Sequence, residues 1–171
     1  IAGLIVAIPI TWIGIQQLDL TQPAVGPYAL DMPLAIKLAL EWAQPKGYET
    51  GDLIAVNQLN PFFMAGWVGL LITGLNMLPV SQLDGGHVCY TMFGRKAHWV
   101  GRGFMVIAVA YTVIAQQYTW ILMIALVFLV GAAHPPTRDD RVPLRWYRYA
   151  LGCAALFIPV FCFAPRLIVL R

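Results

Sequence analysis

Charged residues are scarce in this sequence, and long apolar runs take their place. Only 11% of the 171 residues are charged and 60% are hydrophobic, whereas soluble domains carry about 25% charged residues. The mean hydropathy is +0.71. Too few polar side chains remain to cover the surface of an ordinary soluble domain, so the composition excludes that class. It predicts an integral membrane protein whose solvent is the lipid bilayer.

Cysteine is also sparse. The three cysteines, Cys89, Cys153 and Cys162, are odd in number and show no Cys-x-x-Cys spacing, which excludes a disulfide framework and a cysteine-based metal site. Cys153 and Cys162 lie in apolar runs, where we expect buried thiols. An initiator Met and the basic start of a signal peptide are absent too. Because Ile1 lies inside an apolar run, we interpret the chain as a fragment of a longer protein.

The apolar runs predict an all-α, polytopic transmembrane helix bundle with about five membrane segments. The first segment would span about 27 Å at about 1.5 Å per residue, which is close to the thickness of the hydrocarbon core. The predicted membrane segments are residues 1–18, residues 62–94 with a broken helix, a hairpin over 103–133, and residues 150–165.

The polar segments between these runs predict the orientation. Residues 19–61 contain five acidic residues and two lysines, which indicates a loop outside the membrane. The segments 95–102 and 134–149 are basic and flank the hairpin, so the positive-inside rule makes both of them cytoplasmic loops. The acidic loop 19–61 then lies on the non-cytoplasmic side.

One short amphipathic helix is predicted within the acidic loop. Residues 33–44 start with proline at a helix-start position. Leu34, Leu38 and Trp42 recur at a spacing of four residues, while Lys37 and Glu41 lie elsewhere on the turn. This pattern predicts a helix that lies on the membrane surface or on the protein.

Asp84 is the only acidic residue between Leu53 and Thr137. An acid at membrane depth costs about 2.5–3.5 kcal/mol on insertion scales, and it indicates a functional site. The alternative is an interfacial Asp84 that caps a helix or pairs with Arg95. The neighbouring residues favour a functional role.

Proline and glycine surround this acid. Asn76 and Pro79 interrupt the preceding helix, since proline lacks an amide hydrogen. Gly85 and Gly86 allow close backbone approach or unusual dihedral angles. Backbone freed in this way is tolerated in a membrane only if it is buried in protein or lines a polar cavity. We therefore predict a polar pocket over 76–87 that contains a carboxylate, as a metal ligand or a proton relay requires.

The segment NMLPVSQLDGGH (76–87) resembles the Asn-x-x-Pro-x-x-x-Leu-Asp-Gly motif of the site-2 protease family of intramembrane zinc metalloproteases. The resemblance implies that Asp84 is the third zinc ligand. It also implies that Asn76 and Pro79 belong to an unwound segment beside the metal where substrate is held open. Weaker similarities are those of Ile1-Ala2-Gly3, residues 61–79 and 134–137.

The His-Glu-x-x-His motif that supplies the other two ligands and the general base in that family is absent. The three histidines are His87, His98 and His134, and none precedes a glutamate. Asp84 and His87 would share a helix face, but a catalytic zinc takes three protein ligands. We expect His87 to line the pocket or to pair with Asp84, His98 to lie at the headgroups and His134 to end a helix.

The resemblance therefore implies a metalloendopeptidase that cleaves membrane-anchored proteins within a transmembrane segment, with the general-base Glu upstream of this chain. The fragment alone should be inactive. Two alternatives are a non-catalytic pseudo-protease or membrane scaffold, and a transporter that uses Asp84 as an ion or proton relay. The expected partners are a membrane-anchored substrate and the lipid bilayer, without nucleic acid. The expected location is multi-pass in a bacterial inner or plasma membrane.

Overall fold

The computed structural model describes residues 2–51, 53–80, 82–130, 145–164 and 166–170. The described chain is mostly helical. It divides into two compact units, one made of Ile1–Leu75 with Val160–Arg171 and the other of Asn76–Pro159.

The first unit begins with α1, Ala2–Gln16, and then enters the polar loop. The loop contains strand β1, Tyr28–Leu30, and helix α2, Leu34–Ala43, followed by a single 3-10 turn, Val56–Gln58. Helix α3, Pro61–Asn76, follows. The short helix predicted over 33–44 is therefore present as α2, one residue shorter at each end.

Helices α1 and α3 pack closely and antiparallel through small residues. A methyl group built on Gly14 would lie 2.4 Å from the Phe63 nitrogen, and one built on Gly66 would lie 2.2 Å from Thr11 Oγ1. The Gly69–Ala7 and Gly3–Thr73 contacts continue the series. The start of α1 therefore contacts the end of α3, and the end of α1 contacts the start of α3, so the two helices run in opposite directions. Small residues let helix backbones approach each other in this way. In a bilayer the hydrophobic effect does not drive helices together, so this close packing contributes to their association.

A two-stranded antiparallel sheet was not predicted and is a small addition to the mostly helical fold. Strand β1 pairs with β2, Ile168–Leu170, in the register Tyr28 to Leu170 and Leu30 to Ile168. Asp31 follows β1 and contacts two helices. The Asp31 carboxylate forms a salt bridge with Lys37 Nζ on α2 at 3.0 Å, and the Asp31 carbonyl accepts a hydrogen bond from Trp67 Nε1 on α3 at 3.0 Å. The strands escape prediction because each has only three residues, which are too few to show a period of two.

The second unit contains α4, Asp84–Phe93, a 3-10 turn at Gly94–Lys96, α5, Ala97–Ile114, and α6, Ile121–Val130. Helix α7, Trp146–Cys162, begins in this unit. Helices α5 and α6 contact each other across a short connection in which Gln116 has a φ of 53°. The arms of the predicted hairpin are therefore helical over the described residues, and residues 131–133 lie outside them.

The stretch Asp84–Ile114 is the one described helical stretch that is long and apolar enough to cross a membrane. Four shorter apolar helices accompany it in the described residues: Ala2–Gln16, Pro61–Asn76, Tyr118–Phe128 and Trp146–Cys162. Five membrane spans are thus not established by length and composition.

The described structure bears on three expectations: the loop at 95–102, the basic segment 134–149 and the buried thiols. The predicted loop at 95–102 is helical, because residues 94–96 form a 3-10 turn and α5 begins at Ala97. The basic segment 134–149 lies largely outside the described residues, and its end, from Trp146, belongs to α7.

The thiols also differ from each other: Cys162 is buried as expected, whereas Cys153 is exposed and that prediction is wrong.

Candidate metal centre

The helix break predicted from Asn76 and Pro79 lies between α3 and α4. Helix α3 ends at Asn76 and α4 begins at Asp84, and the described residues between them, 77–80, 82 and 83, are non-helical. Pro79 lacks an amide hydrogen and cannot continue the helical ladder. Met77, Leu78 and Val80 are buried in this segment, and local turns satisfy part of its backbone, with Val80 N donating to the Leu78 carbonyl at 2.7 Å. We call residues 77–80 together with 82 and 83 the interhelical segment.

Asn76 and Asp84 face each other across this break. Asn76 Nδ2 donates a hydrogen bond to Asp84 Oδ2 at 2.8 Å. Both side chains are exposed, so the last residue of α3 orients the first carboxylate of α4 at an open surface. A hydrogen bond of this kind fixes the direction in which a carboxylate presents its oxygens to a metal.

Gly85 allows the first turn of α4 to rest on the interhelical segment. A methyl group on Gly85 would lie 2.1 Å from the Met77 carbonyl oxygen and 2.4 Å from that of Leu78. Real side chains do not reach such distances from backbone atoms, so only glycine fits here. Gly86 is also buried. The predicted close approach is thus present at Gly85, where the backbone is helical.

Gly101 is a residue of this region that the sequence did not single out. A methyl group on Gly101 would lie 3.2 Å from the Pro79 carbonyl oxygen and 3.9 Å from Val80 Cα. A straight helix would place Gly101 about 25 Å beyond Asp84, so α5 must fold back past the interhelical segment. Gly94, with φ 54° and ψ −134°, supplies the bend. Gly101 and Gly103 look alike in sequence, and only the bend distinguishes them.

His87 lies one turn after Asp84 on α4 and is exposed, as Asp84 is. Its amide donates to the Leu83 carbonyl at 3.1 Å, and its own carbonyl accepts a hydrogen bond from Thr91 Oγ1 at 2.8 Å. His98 lies in the first turn of α5, where its Nδ1 contacts the Arg95 carbonyl. His134 lies outside the described residues.

The side chains of this region can be compared with the ligands that zinc requires. Asp84 is a suitable oxygen ligand, and Asn76 holds it in place. Among the described residues, no group of three or more His, Cys, Asp or Glu side chains could hold a metal ion. A catalytic zinc needs three protein ligands. The described residues of this region therefore do not make a complete zinc site, although Asp84 could provide one ligand to it.

Comparison with known proteins decides the family. The model of peptidase family M50 matches residues 1–115, which include the break, Asp84 and Gly101. The chain belongs to peptidase family M50. This is the site-2 protease family, so the resemblance seen in the motif is confirmed. M50 proteins are embedded in membranes, which agrees with the composition of this M50 chain.

Two similar proteins come from plants. The M50 chain is 30% identical over 147 residues to "Probable zinc metalloprotease EGY3, chloroplastic" of Oryza sativa subsp. indica, covering 85% of this chain and 22% of that protein. It is 29% identical over 108 residues to "Probable zinc metalloprotease EGY2, chloroplastic" of Arabidopsis thaliana, covering 63% of this chain and 19% of that protein. The chain thus spans about a fifth of the length of these relatives. The expected bacterial location gains no support from them. No solved structure matches the chain.

Proposed function

We propose that this chain supplies the third zinc ligand, Asp84, to an intramembrane metalloendopeptidase of the site-2 type. The observation that carries the proposal is the Asn76–Asp84 hydrogen bond of 2.8 Å across the break between α3 and α4. It joins the two polar residues of the motif in the arrangement that a metal ligand and its supporting group require. Family membership and the names of the relatives support zinc as the metal.

Within this proposal each residue of the chain has a physical task. Zinc supplies an activated water for peptide hydrolysis when it is bound. Asp84 provides one oxygen ligand, and Asn76 keeps that carboxylate in one orientation. Pro79 cannot continue the helical ladder of α3, and Gly85 lets the backbone of Met77 and Leu78 lie against the first turn of α4. The two histidine ligands and the general-base Glu come from a part of the protein outside this sequence, which contains no His-Glu-x-x-His.

The interhelical segment offers a place for an extended substrate. A peptide bond in a transmembrane helix must be unwound before it can reach a catalytic group, because its backbone is shielded by its own hydrogen bonds. Irregular backbone beside Asp84 supplies polar groups at membrane depth that can replace those bonds. The proposed substrate is therefore a membrane-anchored protein cleaved within its transmembrane segment. The scaffold and transporter alternatives gain no support from the family match.

Zinc content and cleavage in the full-length protein test the proposal. Asp84→Ala should deplete bound zinc markedly and abolish cleavage of a membrane-anchored substrate, because one of three ligands is lost. Glu41→Gln, which changes an exposed carboxylate on α2, is the matched control and should leave both unchanged. Zinc retained at the wild-type level in Asp84→Ala would show that Asp84 is not a ligand. A wild-type protein without zinc would contradict the enzyme assignment as a whole.

A further inference from the structure

Helix α2 has three distinct faces. At about 100° per residue, Ile36 and Leu40 fall on one side, and they are 0% and 2% exposed. Lys37 and Glu41 form a second, charged face. Leu34, Leu38 and Trp42 form the third, and they are 40%, 50% and 79% exposed. We call this third face the α2 stripe. The buried residues show that the stripe is not the side that packs on the protein.

The three faces fit a helix at a junction of protein, water and lipid. A surface helix in water has one apolar face, which packs on the core. Helix α2 has that face in Ile36 and Leu40 and carries a second apolar face between it and the charged residues. An amphipathic helix in the membrane interface buries such a face in the boundary of headgroups and acyl chains.

The α2 stripe continues into the exposed surface of α1. The ring of Trp42 contacts that of Trp12 on α1, with 5.0 Å between the ring centroids. From Ala2 to Ile13 the exposed residues of α1 are apolar, including Ile5 at 71% and Ile8 at 56% exposure. Such an apolar surface, in a membrane-embedded family, suits contact with lipid. The two tryptophans extend that surface onto α2, and tryptophan is enriched at the level of the headgroups.

A polar cavity marks the headgroup level at the same place. A cavity of about 550 Å³ lies where the end of α1 meets the end of α2, and both tryptophans line it. Asp19 and Lys46 line it as well. The hydroxyl and the amide of Thr21 hold the pKa of Asp19 below its ordinary value, so the carboxylate is charged at neutral pH. Aromatic faces beside groups of both charges suit a zwitterionic headgroup, whose quaternary ammonium is attracted to tryptophan.

We propose that the α2 stripe inserts into the lipid of one leaflet, with the zwitterionic headgroup of a phospholipid in the cavity between α1 and α2. The partner of this surface is lipid, because the stripe is continuous with the exposed surface of α1. The charged face of α2 then points to water, and the salt bridge between Lys37 and Asp31 lies on that side. The polar loop 19–61 is thereby fixed to the membrane surface at its middle.

Spin labels test the proposal in the full-length protein reconstituted in phosphatidylcholine vesicles. The background is Cys153→Ser, since Cys153 is exposed whereas Cys89 and Cys162 are buried. A nitroxide is attached at Leu34→Cys and, separately, at Leu38→Cys. Its collisions with oxygen, which concentrates in lipid, and with a water-soluble nickel chelate are measured. The ratio of oxygen to nickel collisions should be several-fold higher at these two positions than at Lys37→Cys and Glu41→Cys, the matched controls on the same helix.

Two results would overturn the proposal. Ratios at 34 and 38 that equal those at 37 and 41 would place the α2 stripe in water. Collisions with neither reagent at 34 and 38 would show that protein covers the stripe, either a substrate or a second copy. The headgroup has its own test at Gln17, an exposed residue that also lines the cavity. A label at Gln17→Cys should lose nickel collisions in phosphatidylcholine vesicles relative to detergent without a zwitterionic headgroup, and no change would remove the cavity from the proposal.

Discussion

At the scale of single residues, Asn76 and Gly85 act on Asp84 in different ways. Asn76 donates a hydrogen bond to the carboxylate itself. Gly85 does not contact the carboxylate, but its missing side chain leaves room for the carbonyl groups of Met77 and Leu78. Loss of the first should change metal binding in a folded protein. Loss of the second should change the fold of the interhelical segment first.

Replacing Asn76 should weaken zinc binding without unfolding the protein. In Asn76→Ala the carboxylate of Asp84 loses the donor to its Oδ2, and groups that orient a metal ligand are worth about 10–100-fold in metal affinity or activity. Zinc titration against a chelator, with thermal unfolding measured on the same sample, checks this. Wild-type zinc affinity in Asn76→Ala would show that the hydrogen bond does not position the ligand.

Replacing Gly85 should destabilise the second unit. The added methyl group of Gly85→Ala would press on the carbonyls of Met77 and Leu78, and overpacking of this kind costs about 1–3 kcal/mol. Gly103→Ala is the matched control, because a methyl group there meets nothing within 4 Å and alanine favours a helix. The melting temperature should fall in the first variant and hold or rise in the second. Equal melting temperatures would contradict the close approach.

At the scale of elements, Gly101 has no side chain and so lets α5 lie close to the interhelical segment. Gly101→Ala places a methyl group 3.2 Å from the Pro79 carbonyl oxygen, so the segment must shift by a few tenths of an ångström. We expect both Gly101→Ala and Gly103→Ala to fold, with the rate of cleavage lower only in the first. Gly101→Val should lower it further. Steady-state kinetics of the full-length protein measure this, and equal rates for the two alanine variants would show that Gly101 has no positioning role.

The crossing of α1 and α3 gives a second test at this scale. Gly14→Ala meets the backbone of Phe63 at 2.4 Å, which cannot rotate away, whereas Gly3→Ala meets the hydroxyl of Thr73, which can. Gly14→Ala should therefore lower the free energy of unfolding by about 1–3 kcal/mol, and Gly3→Ala by clearly less. Unfolding in mixed micelles with increasing denaturing detergent compares the two. The reverse order would place the tight part of the crossing at the other end of the helices.

Elements with a strong local signal were predictable from the sequence. The end of α3 at Asn76 follows from proline chemistry at Pro79, and α2 follows from its periodicity. The sequence did not show which apolar side of α2 packs on the protein, since Ile36 and Leu38 are equally apolar. The pairing of β1 with β2 depends on a partner far along the chain and leaves no local pattern. Gly101 likewise becomes recognisable only once Gly94 has turned the chain back.

At the scale of the whole molecule, strand pairing constrains the membrane topology. Because β1 pairs with β2, residues 28–30 and 168–170 must lie on the same side of the bilayer. The charge pattern independently predicts the non-cytoplasmic side for the loop 19–61. Single cysteines at Thr50 and Val169 should therefore react with a membrane-impermeant thiol reagent from the same side. A cysteine at Arg95, in the basic segment, should react from the other side. Labelling of positions 50 and 169 from opposite sides would contradict the sheet.

The two-stranded sheet also sets an order of events during synthesis. Its strands are separated by about 140 residues, and a ribosome that adds about 5–20 residues per second needs roughly 7–28 s to make the intervening chain. Strand β1 therefore emerges early, and β2 follows the seven α-helices of the described residues. Until then β1 keeps an unpaired edge, which is a site for incorrect pairing with other chains. A nascent chain that stalls before Ile168 has made the residues of its described helices but lacks β2, so the sheet of its first unit cannot form.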